Sequence, residues 1–176
     1  MFKLKSSAWM FLLFPIAFSG YFAVNPVTAQ TNSGLTIFSG VKRDNLLNHY
    51  LEWGVGPNRT ERYKLSIPAK KMMQGASKLF ITYPDYYDGK FDEDRIEVRI
   101  KGKAIELAEV IWDEESRIIE IVPKEQITES RKLEIVMHNV KNPSSPGTFY
   151  FNCQLIAAND LPIRQHVGTW IIGIDP

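Results

Sequence analysis

One cysteine in 176 residues is the scarcest feature of this sequence. It excludes a disulfide framework within the chain and any zinc site built on cysteine pairs. Charge of either sign is also in short excess: Lys+Arg 21 against Asp+Glu 20 gives +1. Nucleic-acid binding by counterion release needs clustered surplus Lys/Arg, so a dedicated nucleic-acid surface is excluded. There is no G-x-S-x-G, P-loop or H-E-x-x-H motif, and Gly54-Val55-Gly56 runs into Pro57, which breaks a dinucleotide fingerprint. His49, His138 and His166 stand on three separate segments without metal-ligand spacing, and read as surface or structural groups. No catalytic residue can be named, and the expectation is a protein that is not an enzyme. A carboxylate pair for glycoside hydrolysis is a matter of space rather than spacing. The alternative to a non-catalytic protein is therefore a small periplasmic hydrolase with an Asp/His site assembled from distant parts. What the chain has in quantity is apolar surface, 44% hydrophobic and 12% aromatic residues, enough for a packed core rather than disorder.

The apolar residues are not arranged to span a membrane, except at the start. Lys3 and Lys5 precede an apolar stretch from Ala8 to Ala23, broken by Pro15, Ser19 and Gly20. Val27-Thr28-Ala29 then offers small residues at a cleavage site before Gln30. Residues 1–29 are expected to be a secretory signal peptide. The uninterrupted run is shorter than the ~20 residues a spanning helix requires. No cysteine lies near the site to carry a lipid, and no second run of spanning length follows. Cleavage would remove Lys3 and Lys5 and leave a near-neutral chain, with no transmembrane segment. Residues 30–34 (Q-T-N-S-G) are small and polar, a tail expected to be disordered. Residues 35–176 are expected to be one domain, long enough to be stable without disulfides.

Within that domain the dominant pattern has period two. Tyr63, Leu65 and Ile67 alternate with Arg62, Lys64 and Ser66; Ile96, Val98 and Ile100 with Arg95, Glu97, Arg99 and Lys101. Leu133, Ile135 and Met137 share a face, as do Phe149, Phe151, Cys153 and Leu155. That phase makes Cys153 a buried apolar thiol rather than a reactive one. Leu35–Phe38, His49–Trp53 and Leu79–Tyr83 complete a set in which Glu109–Trp112 and Arg117–Val122 form a hairpin about Asp113–Ser116. His49–Trp53 pairs with Arg62–Ile67 across Gly56-Pro57-Asn58, although Leu47, Tyr50 and Leu51 also fit helical spacing. Gly168–Ile174 is apolar on both faces, which suits a buried central strand. The best helix runs from Ala69 to Gln74, opened by Pro68 and stopped by Gly75. Nine or ten short strands, roughly, with one or two short helices at most describe an all-β, antiparallel immunoglobulin-like sandwich. An outer-membrane barrel fits less well. Its strands run ~9–11 residues, whereas these are shorter and carry Lys, Arg and Glu on their outer faces.

Ligand chemistry concentrates in Tyr83–Asp94, where five carboxylates fall within ten residues. Calcium takes six to eight hard oxygen ligands. Asp85, Asp88, Asp92 and Asp94 are the residues that would supply them, although their spacing is not that of an EF-hand. Pro84-Asp85 and Asp88-Gly89 also read as ordinary turn chemistry. Tyr86 and Tyr87 in this loop, with Trp53 and Trp112 at strand ends, are the aromatics expected to be exposed and available to a protein or glycan partner. Asn142–Gly147 reads as a Pro-fixed structural loop. Asn58-Arg59-Thr60 is a formal glycosylation sequon, relevant only on a eukaryotic secretory route.

Several segments together carry a family likeness: Gly34–Val41, Ile67-Pro68-Ala69, Ile81–Gly89, Val140–Pro143, Gly147–Asn152 and Val167–Trp170. In order and spacing they resemble the cyanobacterial exported family called domain of unknown function 2808, from about Gly34 to the end. The resemblance implies a cyanobacterial host and export, with the periplasm, thylakoid lumen or cell surface as destination. It supplies no activity, cofactor or catalytic residue.

Overall fold

The computed structural model describes residues 40–128, 130–158 and 162–176. The expected signal peptide, the polar tail and the strand Leu35–Phe38 lie outside the described residues. Ten strands follow in chain order: β1 His49–Leu51, β2 Thr60–Ile67, β3 Lys78–Thr82, β4 Ile96–Ile100, β5 Lys103–Ala104, β6 Leu107–Asp113, β7 Ile118–Pro123, β8 Leu133–Lys141, β9 Gly147–Ile156 and β10 Gln165–Ile174. They form two five-stranded antiparallel sheets, ordered β1-β2-β8-β4-β5 and β10-β9-β3-β7-β6. The fold is an all-β sandwich of two antiparallel sheets.

Period-two alternation builds it, because only one face of each strand can join the core. Tyr63, Leu65 and Ile67 of β2 and Leu133, Ile135 and Met137 of β8 are fully buried from one side. Leu79 and Ile81 of β3, Ile119 and Ile121 of β7, and Phe151 and Cys153 of β9 meet them from the other. Cys153 is a free, buried thiol whose pKa desolvation pushes well up. Trp170 of β10 crosses the core and donates its indole N–H to the Ser66 carbonyl at 3.2 Å.

Two expectations are corrected. The strand Gly168–Ile174 belongs to β10, which stands at the edge of its sheet rather than its centre. Its outer edge is paired with the segment Asn45–Leu47, which also closes over Gly168. Leu47 N–H donates to the Thr169 carbonyl at 2.9 Å, and Leu46 bridges Thr169 in parallel. The helix expected from Ala69 to Gln74 is only a 3-10 turn, Ala69–Lys71. Met72 caps it; Gly75 (φ +67°), in a left-handed conformation suited to glycine, closes the next turn onto the Met72 carbonyl, and Ala76 then bridges Ile127. The expected strand at His49–Trp53 is present as β1, paired with β2 and preceded by a second 3-10 turn at Arg43–Asn45, so the alternative helical spacing of Leu47, Tyr50 and Leu51 is not used. A third such turn, Glu93–Arg95, leads into β4. Among the described residues no helix is long and apolar enough to cross a membrane.

Chain direction sorts the connections into two ends. One end holds the loop Tyr83–Asp94, the β6–β7 turn and the segment 142–146. The other holds the connections 68–77, 101–106, 124–132 and 157–164.

Candidate functional site

The loop Tyr83–Asp94 packs as an aromatic plug. Tyr87 is only 4% exposed; its ring stacks on Phe91 (5.5 Å) and meets Phe149 and Phe151 edge-on at 5.1 and 5.0 Å. Its hydroxyl lies 3.3 Å from that of Tyr63, which donates to Asn142 Oδ1 at 2.8 Å. Burial raises the pKa of both phenols. The expectation that Tyr87 is exposed at a loop tip is therefore corrected: beside Phe149 and Phe151 it has more apolar surface to bury than water would allow it to keep. Trp112 is corrected likewise. It packs edge-on to Phe91 at 5.5 Å and donates its indole N–H to Tyr83 Oη at 2.8 Å. Tyr86 alone of the loop's exposed aromatics remains open, 58% accessible, against Phe149 on one side.

The four aspartates do not converge. Asp88 is drawn to Ser144, accepting its amide N–H at 3.0 Å and its hydroxyl at 2.5 Å, and these bonds hold its pKa below the usual carboxylate range. Asp92 accepts from Asn139 Nδ2 at 3.0 Å, while Asp85 and Asp94 point into solvent. Among the described residues no three His, Cys, Asp or Glu side chains are grouped as metal ligands. The acidic residues act locally, as turn and strand-entry groups, and the neighbouring Asn142 (1% exposed) ties the 142–146 segment to Gly56 and Arg59.

A more organised surface lies on the outer face of the first sheet. Here β2 turns Arg62 and Lys64 outward, and β1 sets Tyr50 and Glu52 beside them. Glu52 bridges Arg62 at 2.7 Å and Lys64 at 3.3 Å. Desolvation pushes Glu52 up, but hydrogen bonds and charge from the two cations outweigh it and hold the carboxylate below its ordinary value. Arg62 Nε donates to His138 Nδ1 at 3.0 Å, and its guanidinium lies 4.8 Å from the Trp53 ring centre. Lys64 sits 5.8 Å over Tyr50. The row of polar side chains continues through His138 Nε2, 3.4 Å from Glu97 Oε1, to Arg99, 2.7 Å from Glu97 Oε2. The His138–Glu97 approach lacks hydrogen-bond geometry, and Nε2 is closed off from solvent. With Nδ1 accepting from Arg62 and Nε2 buried, His138 offers no accessible nitrogen to a substrate.

Trp53 and Tyr50 nevertheless stand 53% and 59% exposed. Trp53 is fixed from beneath by Glu61, which is wholly buried. Its Oε1 accepts the N–H groups of Trp53 and Arg62, each at 2.7 Å, while Oε2 has no hydrogen-bond partner. Trp53 had a signal in the sequence, as an aromatic at a strand end. Tyr50 had none, because its outward phase shows only once β1 is known to pair Tyr50 with Lys64.

Against solved structures the chain is similar to a bacterial hydrophobin, BslA, at 10% identity and a TM-score of 0.46, covering 74% of this chain and 97% of that one. It is similar to a collagen-binding domain from a Staphylococcus aureus adhesin (10%, TM-score 0.41, 72% and 95% covered). It is similar also to an uncharacterised Nocardia farcinica protein with an immunoglobulin-like fold (9%, 0.41, 74% and 99%). These likenesses are too distant to bear on activity. No curated protein matches the sequence. The family described as protein of unknown function (DUF2808) matches residues 35–174, and the chain belongs to it.

Proposed function

We propose that this protein is an exported, non-catalytic binding module of the cyanobacterial envelope, taking a protein or glycan partner through the outer face of its first sheet. One observation carries this reading: Tyr50 and Trp53 are more than half exposed, yet each is held beside a cation that Glu52 holds in turn. Large aromatic surface left open costs free energy in water, about 25 cal/mol per Å². A partner that covers it recovers that energy. Rings already held beside Arg62 and Lys64, on a backbone that Glu61 fixes at Trp53, lose little further entropy on binding. Aromatic and Arg side chains are also the residue types that dominate binding energetics. The absence of catalytic motifs in the sequence agrees with a binding role, as does the way His138 is enclosed by Arg62 and Glu97.

Capture from the envelope fraction of the source organism tests the reading, using the intact chain, a Tyr50→Ala/Trp53→Ala variant and a Tyr86→Ala variant. Specific capture lost in the double variant and kept by Tyr86→Ala is the expected result. Loss by Tyr86→Ala alone would move the site to the loop. Equal capture by all three would remove both surfaces from the reading.

A further inference from the structure

The near-zero net charge conceals a polar distribution. The four connections at the end opposite the aromatic plug, 68–77, 101–106, 124–132 and 157–164, contain eight Lys/Arg against four Asp/Glu. At the other end, the segments 83–95 and 113–117 contain eight Asp/Glu against three Lys/Arg. Strand register places the basic connections together. Ile67 and Ile100 both pair with Leu133, so Lys70, Lys101 and Lys132 follow from adjacent strand ends. Ser130 Oγ donates to the Ala69 carbonyl at 2.8 Å, closing 124–132 onto 68–77. Ala158 N–H donates to the Gln74 carbonyl at 3.2 Å, which brings in 157–164. Arg99, Lys101, Arg131 and Lys132 line one concavity of about 500 Å³ here, with Glu134 the one carboxylate among its described lining residues.

The same end carries apolar side chains that the core has not taken. Met73 is 76% exposed, the most open large hydrophobic residue described, and Ile163 is 61% exposed. Both sit at turns, not on strand faces. Burying them would need a surface that meets the end of the sandwich head-on. Lys70, Lys101, Lys103 and Lys132, in connections at the same end, are exposed.

From this pairing of cations with protruding apolar tips we infer that the basic end docks on an anionic lipid bilayer. Lys and Arg near such a surface each contribute about 1 kcal/mol, and apolar side chains reach the boundary between headgroups and acyl chains. A soluble polyanion would satisfy the cations but leave Met73 and Ile163 in water. A neutral protein patch would cover the tips and offer nothing to the exposed Lys70, Lys101, Lys103 and Lys132. The opposite, acidic end would be repelled by the same membrane, so the two ends together set one orientation, with the aromatic plug away from the lipid. The face bearing Tyr50 and Trp53 lies along the side of the sandwich and stays open to a partner.

Vesicle binding of the full chain tests this, comparing phosphatidylcholine alone with a phosphatidylcholine–phosphatidylglycerol mixture. The preference for the anionic vesicles is expected to fall on the order of a hundredfold in Lys70→Gln/Lys103→Gln/Lys132→Gln, and to weaken with added salt. Any affinity of the N-terminal apolar segment is common to both proteins and cancels in the ratio. Orientation is read separately. Cys153 is buried, so Met73→Cys can be labelled selectively with a polarity-sensitive fluorophore, as can Tyr86→Cys at the far end. Anionic vesicles are expected to blue-shift the label at residue 73 and leave that at residue 86 unchanged. An unchanged vesicle preference in the triple variant would overturn the inference. So would equal shifts at both labels, or binding to inorganic polyphosphate without binding to the anionic vesicles.

Discussion

Tyr87 and Tyr86 are neighbours with opposite duties. Tyr87 sits amid Phe91, Phe149 and Phe151 with its hydroxyl joined to Tyr63, and Tyr86 lies on the outside. Tyr87→Ala is expected to destabilise the fold by about 3–5 kcal/mol, as for other buried large aromatics cut to alanine. Tyr86→Ala should cost under about 1 kcal/mol. Urea denaturation of the two variants decides it, and equal losses would contradict the placement of either ring. His49 makes a second residue-level test. Desolvation lowers its pKa in the folded chain, so below the ordinary value of about 6.5 the unfolded chain binds the proton more readily. Stability should therefore fall as the pH drops through about 6.5 toward the depressed folded pKa. His49→Gln should flatten that part of the curve in thermal melts taken across the range. A parallel decline in both proteins would assign the dependence elsewhere. Calcium makes a third. Asp88 is committed to Ser144 and Asp92 to Asn139, so millimolar calcium is expected to leave the melting temperature unmoved. A rise of several degrees would mean that the loop rearranges to gather its carboxylates.

Elements answer to neighbours as well as to their own residues. Gly75 and Gly102 both adopt left-handed φ, at +67° and +79°. A Cβ at Gly75 would lie 1.9 Å from the Ile127 carbonyl oxygen, whereas nothing stands within 4 Å of one at Gly102. Gly102→Ala should cost about 1–2 kcal/mol from backbone strain alone. Gly75→Ala must also push the 124–132 connection away, and should cost measurably more in the same urea midpoint assay. Equal costs would mean that the Ala76–Ile127 bridge yields freely. The sequence signalled Gly75 as a stop but not its tertiary neighbour, and this marks the general limit of what could be read. Strands β2, β4, β7, β8 and β9 were legible because each has one buried face, and burial prints a period of two. Strand β10 misled because its two-sided burial comes from Leu46 and Leu47, contacts distant in the chain. The candidate site was half legible for the same reason. Aromatic residues in a loop can be counted in sequence, but whether a ring closes a core, as Tyr87 does, or stands beside a cation, as Trp53 does, depends on register across strands.

For the molecule as a whole, one continuous apolar cluster joins both sheets. It runs from Leu47 through Tyr63, Leu79, Ile135 and Phe151 to Ile174. Trp170 bonds across it to β2, so neither sheet keeps a core of its own if the other leaves. The chain should therefore unfold in a single cooperative step, as small single domains do. Lys3 and Lys5 fall in the segment proposed as an export signal, and without residues 1–29 the counts become 19 basic and 20 acidic, which leaves the charge separation between the two ends intact. A chain beginning at Gln30 is expected to melt in one transition, with calorimetric and van't Hoff enthalpies in agreement. It should also show the midpoint of the full chain, because every residue of the cluster is retained. Two transitions would divide the sheets into separate units. A midpoint lowered in the shortened chain would show that residues before Gln30 contribute to the stability of the folded domain, against their assignment as a removable signal.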